Sequence, residues 1–399
     1  MEQSDLNWMT FLQTKLGAFD HGQVQPRSIS MVTDELRDSN EAAFKPKDVS
    51  IGLLHRKTMG HIQLMEETKW HYVNNFFNRE RIEAQNRRLE ERLQDCNTLI
   101  PDLLIMTLAS YGPDILVERH VRHGLAGIIL LEGRNIQLER QELAKIIIVD
   151  GCFLLELLIR LVDFMNNTSY SNDPIQQDEE KMMSIMNDII KLENQIPLFV
   201  LKELYRKVFP NDNDIDNDHR VANIICTAFG YPEVNNLEGL HVLHLLHLSS
   251  VKENQQERKC VHKDLLRCAS RLRANGITIK AANTVGVRHK LVDWFDFEIN
   301  FDNGVLQIPP LVVKETTEVR WRNLIAWEQS RSEIKCKYTS YALFFQGLIC
   351  CKHDIELLEE KEIIVNMGKK SEEELLNLFE KISKGAEYMD LSYEEIYCQ

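Results

Sequence analysis

The stretch from Gln141 to Met165, QELAKIIIVDGCFLLELLIRLVDFM, decides how the rest of the chain reads. It is too long for a strand, and its apolar residues cover most faces of a helix, so the spacing predicts a central buried helix. Lys145, Asp150, Glu156, Arg160 and Asp163 interrupt it. A bilayer span needs about 20 nearly uncharged residues, so this segment predicts a protein core and not a membrane crossing. Cys152 lies inside it, where burial raises a thiol pKa, and reads as a core residue instead of a nucleophile.

Working outward, Ile62, Met65, Tyr72 and Phe76 recur at helical spacing. The charged run from Arg79 to Asp95, with pairs Arg79/Glu83 and Arg87/Glu91, continues that helix as a solvated arm. Glu180 to Glu193 reads as a helix with Met183, Met186 and Ile190 inward, and Pro197 suits the first turn of another that runs to about Phe209. Asn194-Gln195-Ile196 is then a tight corner. Further helices are expected over Glu318 to Gln329, over Ser340 to Ile349, and after the capping pair Ser371 and Glu374, where Leu375, Phe379 and Ile382 face inward. Trp70, Trp321 and Trp327 read as helix-packing residues.

Strand signals gather in one place. Phe295, Phe297, Ile299 and Phe301 alternate, Asp302-Asn303-Gly304 offers a tight turn, and Val305 to Ile308 follows before Pro309-Pro310. That is a β-hairpin, with Gly276 to Lys280 as a candidate third strand. No repeat or long Gly/Ser or Pro linker divides the chain. The sequence therefore predicts a mainly α protein, one large helical body with a small antiparallel β-hairpin region at about 295–313. Residues 1–27 form a variable N-terminal segment, and 28–397 form the body without an internal boundary.

Composition excludes some functions. The 399 residues carry 61 acids against 47 bases, a net charge of −14, with 44% apolar and 27% charged residues. Such a chain folds, and a negative chain is a poor general nucleic-acid binder. Nine cysteines without a C-x-x-C pair, behind an N-terminus that lacks a secretory signal, point to reduced thiols on the cytosolic side. The overlapping sequons in Asn166-Asn167-Thr168-Ser169 then read as chance matches.

Charge is uneven. Arg258 to Lys290 holds nine bases and one acid, a net of +8, whereas His353 to Gln399 holds thirteen acids and five bases, a net of −8. One reading makes both solvated faces packed against each other. The other makes Arg258, Lys259, Lys263, Arg267, Arg271 and Arg273 a surface for an acidic partner or an anionic lipid surface.

Motifs for phosphate binding, kinase chemistry, nucleophile elbows and zinc proteases are missing from the sequence, and no cofactor is expected. His241, His244 and His247 stand at i, i+3 and i+6, so adjacent pairs could share a metal. Their alternation with leucines, without a carboxylate or thiol at ligand spacing, points to packing. Asp212, Asp214, Asp216 and Asp218 resemble a calcium loop, yet Asn217 and Asn223 stand where Gly and Glu are required. Glu193, Asn194, Gln195, Glu328 and Gln329 read as buried hydrogen-bond hubs at helix corners. The alternative is an uncharacterised enzyme in which Glu193 and Glu328 share a pocket.

Several stretches taken together resemble the plant domain-of-unknown-function 247 family. They are Lys47 to Gly52 with His55, Met65 to Trp70, Val149 to Leu157, Leu192 to Pro197, Asn303 to Pro310, Arg322 to Gln329, and Thr339-Ser340-Tyr341. The resemblance runs from about Ser28 to near the C-terminus. It implies that Asp150, Gly151, Glu193, Asn194, Gln195, Pro197, Asn323, Glu328 and Gln329 set the fold. One departure is Gly52-Leu53-Leu54-His55, where the family usually reads Gly-Pro-Tyr-His, which leaves the turn in question.

The resemblance further implies a tail-anchored protein of the plasma membrane or an endomembrane, its globular part on the cytosolic side. The hydrophobic anchor would begin about at the present end, Tyr397-Cys398-Gln399, and is missing from this chain: either this member lacks it or the chain stops before it, and on its own the chain is expected to be soluble. Some grass members of the family are implicated as pollen-side self-incompatibility determinants. The expected function is thus non-enzymatic recognition of a protein partner. Partner choice is assigned to Asn166 to Glu180, Pro210 to Arg220 and Ser249 to Lys259, since loops diverge at little cost to a core.

Overall fold

The computed structural model describes residues 29–55, 62–79, 115–118, 128–131, 140–166, 173–209, 214–232, 237–250, 267–282, 295, 297–331, 334 and 336–385. Helices dominate them. In chain order they are α1 (Asp34–Ser39), α2 (Ile62–Phe77), α3 (Arg140–Met165), α4 (Glu179–Ile189), α5 (Leu198–Val208), α6 (Asp214–Ala228), α7 (Val242–Ser250) and α8 (Ala269–Ala274). After the strands come α9 (Thr317–Gln329), α10 (Lys337–Leu348), α11 (Lys352–Glu360) and α12 (Glu372–Ser383).

Helix α3 is the axis of the N-terminal half. Cys152, Phe153, Leu155 and Leu158 are fully buried on it, with α2, α5 and α6 packed along its sides. Gly151 is what lets α5 approach: a Cβ there would stand 2.4 Å from Leu204 Cδ1. In the C-terminal half α9, α10 and α12 surround an aromatic cluster. Trp321 meets Tyr341 at 5.7 Å between ring centroids, and Phe345 stacks on Phe379 at 5.2 Å. One continuous hydrophobic core joins the halves.

Three small sheets accompany the helices. β1 (Ile115–Glu118) and β2 (Ile128–Leu131) pair antiparallel. β4 (Asn300–Asp302) and β5 (Val305–Ile308) form the expected hairpin, turning through Asn303 and Gly304 at φ of 48° and 77°. β3 (Thr278–Ala281) adds to β5 in parallel, so this sheet is mixed, not wholly antiparallel. β6 (Leu311–Val313) pairs in parallel with β7 (Ile364–Asn366), a pairing the sequence did not announce.

Other expectations need correction. Helix α2 stops at Phe77, and Arg79, just past its end, pairs with Glu156 of α3; the proposed arm beyond it lies outside the described residues. Helix α4 ends at Ile189, four residues early; Met186 and Ile190 are buried as expected, but Met183 is only half-buried, and Met182, Ile185 and Ile189 complete the inner face. The alternating Phe295 and Phe297 join no ladder. They pack edge-on against Tyr338 at 5.1 and 4.9 Å, so one-sided burial produced the alternation, while Phe301 is exposed. The Asn166–Glu180 loop is half core: Asp173 and Ile175 are buried, whereas 167–172 lie outside the described residues. Helix α6 already begins at Asp214, and Ser249 and Ser250 close α7. Among the described residues, no helix is long and apolar enough to cross a membrane.

Candidate functional site

Five of the family-like stretches, Lys47 to Gly52 with His55, Met65 to Trp70, Val149 to Leu157, Leu192 to Pro197 and Arg322 to Gln329, contribute to one hydrogen-bonded clasp in space. Its centre is the corner between α4 and α5. Asp188, in the last turn of α4, accepts the backbone N–H groups of Lys47, Asp48 and Val49 at 2.6–3.0 Å, and the Lys191 ammonium at 2.9 Å. Asn194 accepts from Ile51 N at 2.7 Å and donates to the carbonyls of Val49 and Asp188. Gln195 donates to the Ile189 and Lys191 carbonyls and accepts Leu243 N at 3.2 Å, tying the corner to α7. Leu192 N donates to Asn323 Oδ1, and Asn323 Nδ2 reaches the Ala43 and Val319 carbonyls, tying it to α9. Pro197 is the N-cap of α5, where a missing N–H costs nothing.

Glu193 closes the clasp on its N-terminal side. It accepts Val32 N at 3.1 Å, pairs with the Arg37 guanidinium, and lies 3.4 Å from His55 Nε2. Burial alone would raise its pKa, but His55, Arg37 and the Val32 amide outweigh that and hold it down at about 2. The questioned turn is thus accommodated: Gly52 takes φ of 73°, and Leu53, Leu54 and His55 are all buried. Gly52 N donates to Asp150 of α3 at 3.0 Å, and the buried Lys69 ammonium bridges Asp150 at 2.7 Å to the Ser50 carbonyl at 2.7 Å.

Glu328 anchors a second hub in the C-terminal half. It accepts Tyr338 N, Thr339 N and the Thr339 hydroxyl at 2.7–2.9 Å, and it meets His247 Nε2 at 2.9 Å. Gln329 donates to the Gly385 carbonyl at 2.8 Å. Glu193 and Glu328 thus serve different sets of partners. The three histidines do not converge either. The His241 and His244 rings lie 4.6 and 4.8 Å from Trp327, and each offers its Nδ1 to a backbone N–H, of His244 and Leu240 respectively. Burial, with His244 and Arg331 nearby, pushes His241 well below its ordinary pKa, so it is neutral. Among the described residues, side chains able to share a metal gather instead at Cys268, Cys350 and Asp354.

A third buried network was not read from the sequence. Asp173 accepts the Tyr72 hydroxyl at 2.7 Å and Arg160 at 2.5 Å, and Glu156 joins Arg160 and Arg79. Its signal was present as charges inside an otherwise apolar helix, with Glu156 and Arg160 at i,i+4 spacing.

The exposed charge is elsewhere. Arg267, Arg271 and Arg273 are exposed at and around α8, whereas Arg258, Lys259 and Lys263 lie outside the described residues. Helix α8 packs on the acidic α11, where Arg273 is close enough to Glu360 to favour its charged form, after the neighbouring Lys361. Part of the basic stretch therefore does face part of the acidic one.

The model of a plant protein family of unknown function, DUF247, matches residues 29–399, and the chain belongs to that family. A UPF0481 protein of Arabidopsis thaliana is 24% identical over 381 residues, covering 89% of this chain and 72% of that protein. No solved structure matches.

Proposed function

We propose that this member of the family is a non-enzymatic recognition protein that binds a protein partner. In this reading it acts at the plasma membrane or an endomembrane, as the family resemblance implies. Self-incompatibility recognition in pollen is the setting that the family resemblance suggests. The observation that carries the reading is how the polar motif residues are used. Asp188, Glu193, Asn194 and Gln195 are buried and bonded to main-chain groups of distant segments, and Glu328 is buried between the start of α10 and His247 of α7. A carboxylate held near a pKa of about 2 by Arg37, His55 and a backbone donor is no general base for chemistry near neutral pH. Such residues fix a scaffold, and partner choice falls to groups outside it.

We assign partner choice to the 251–259 segment, which lies outside the described residues, and to the exposed arginines 267, 271 and 273. The test exchanges 251–259, with the three arginines, between two relatives that differ in partner. The reading expects partner choice, measured by pairwise binding of purified proteins, to follow the exchanged residues while the melting temperature stays in place. Partner choice that stays with the recipient scaffold would overturn it.

A further inference from the structure

We propose that Cys268, Cys350 and Asp354 form a binding site for a soft divalent cation of the zinc type. Cys268 stands immediately before α8, Cys350 and Cys351 lie between α10 and α11, and Asp354 is in the first turn of α11. One ligand atom from each of Cys268, Cys350 and Asp354 falls within 4.8 Å of the other two. A tetrahedral zinc with Zn–S of about 2.3 Å and Zn–O of about 2.0 Å has S···S edges of about 3.8 Å and S···O edges of about 3.5 Å. Cys351 Sγ lies 3.5 Å from Asp354 Oδ2 but outside this group of three, so solvent would fill the fourth position.

The carboxylate is held in place from both elements. Ser270 N donates to Oδ1 at 2.7 Å, and Cys350 N and Cys351 N donate to Oδ2 at 3.0 and 3.2 Å. Outer hydrogen bonds of this kind orient a metal-binding carboxylate, and the ion would take the acceptor site that the Cys350 thiol now occupies, since that thiol loses its proton on binding. Cys268 is buried and Cys350 exposed, so the cluster has a rigid floor and an entry from solvent. Two sulfurs with one oxygen select zinc-like ions over magnesium or calcium, which take all-oxygen shells. Binding converts two thiols to thiolates and releases two protons to solvent, with no change of oxidation state. The ion would staple α8 to α11, joining the basic stretch to the acidic one.

The experiment uses the full 399-residue chain, reduced and chelator-treated, titrated with cobalt(II) and then with zinc. One equivalent of cobalt should produce a near-ultraviolet thiolate-to-cobalt charge-transfer band that zinc abolishes. Cys268→Ser and Cys350→Ser should each lose the band and weaken zinc binding by about 100-fold or more, while the Cys226→Ser control keeps it. Serine at position 268 is a good N-cap for α8, so that variant is expected to fold, and circular dichroism checks both. Absence of the band in the folded wild-type chain, or its survival in both variants, would overturn the site. So would mass spectrometry showing Cys268 disulfide-bonded to Cys350 in a chain that takes up no zinc.

Discussion

The corner from Asp188 to Pro197 and the edge built from α8 and α11 use polar residues in opposite ways. At the corner nearly every polar side chain is buried and bonded to main chain as far as 161 residues away in sequence. At the edge Arg267, Arg271 and Arg273 stand in solvent, and the sulfur-rich cluster opens to it through Cys350. Residues of the first kind cannot change without disturbing several segments at once. Those of the second kind can change one at a time. The difference separates side chains that fix the scaffold from side chains whose change leaves it in place.

The largest expected effect breaks the clasp at its charged centre. Asp150→Ala leaves the Lys69 ammonium, whose side chain is fully buried, without its 2.7 Å partner there. The expected loss is about 4 kcal/mol by denaturant unfolding. Lys69→Met combined with Asp150→Asn, which keeps an acceptor for Gly52 N, should recover more than half of that loss. A loss below about 1 kcal/mol in the single variant would put the corner in the same class as the edge.

Next comes acid. Glu193 titrates near 4.5 in an unfolded chain and near 2 in the fold. Its contribution is therefore complete above pH 4.5 and lost as pH falls toward 2. That amounts to roughly 3 kcal/mol at neutral pH. Stability measured between pH 6 and 2.5 should fall, and Glu193→Gln should flatten that fall while lowering stability at neutral pH. Asn194→Ala, which removes one acceptor and two donors facing buried main chain, is expected to cost about 2 to 3 kcal/mol in the same assay. At the edge, Arg271→Glu and Arg273→Glu should move stability by less than about 0.5 kcal/mol, and any change they cause should appear in partner binding.

Sequence reading reached what is local. The α3 helix, the Asn303-Gly304 turn and the Ser371/Glu374 capping box, the last confirmed with both reciprocal bonds, are set by neighbours a few residues apart. That Glu193, Asn194 and Gln195 would be hubs was also legible, since buried amides need partners. Which partners was not. Ile51 N and Gly52 N lie 143 and 98 residues from the groups that accept them, and main-chain donors carry no residue-type signal. Asp173 was hidden in a polar-looking loop. The three-residue strands β6 and β7 are too short for a period. Cys268 and Cys350, 82 positions apart by subtraction, form no motif in the chain.

The central claim, that the separated motifs form one cooperative clasp, is tested most directly by native-state hydrogen exchange. The amides of Val32, Val49, Ile51 and Gly52 each donate to a clasp side chain. They should exchange only through the global opening that also exposes Leu243 N, with the same free energy and the same denaturant dependence. Exchange of these four amides through a separate, lower-energy opening, with Leu243 and the α3 amides still protected, would show a detachable N-terminal segment and contradict the account.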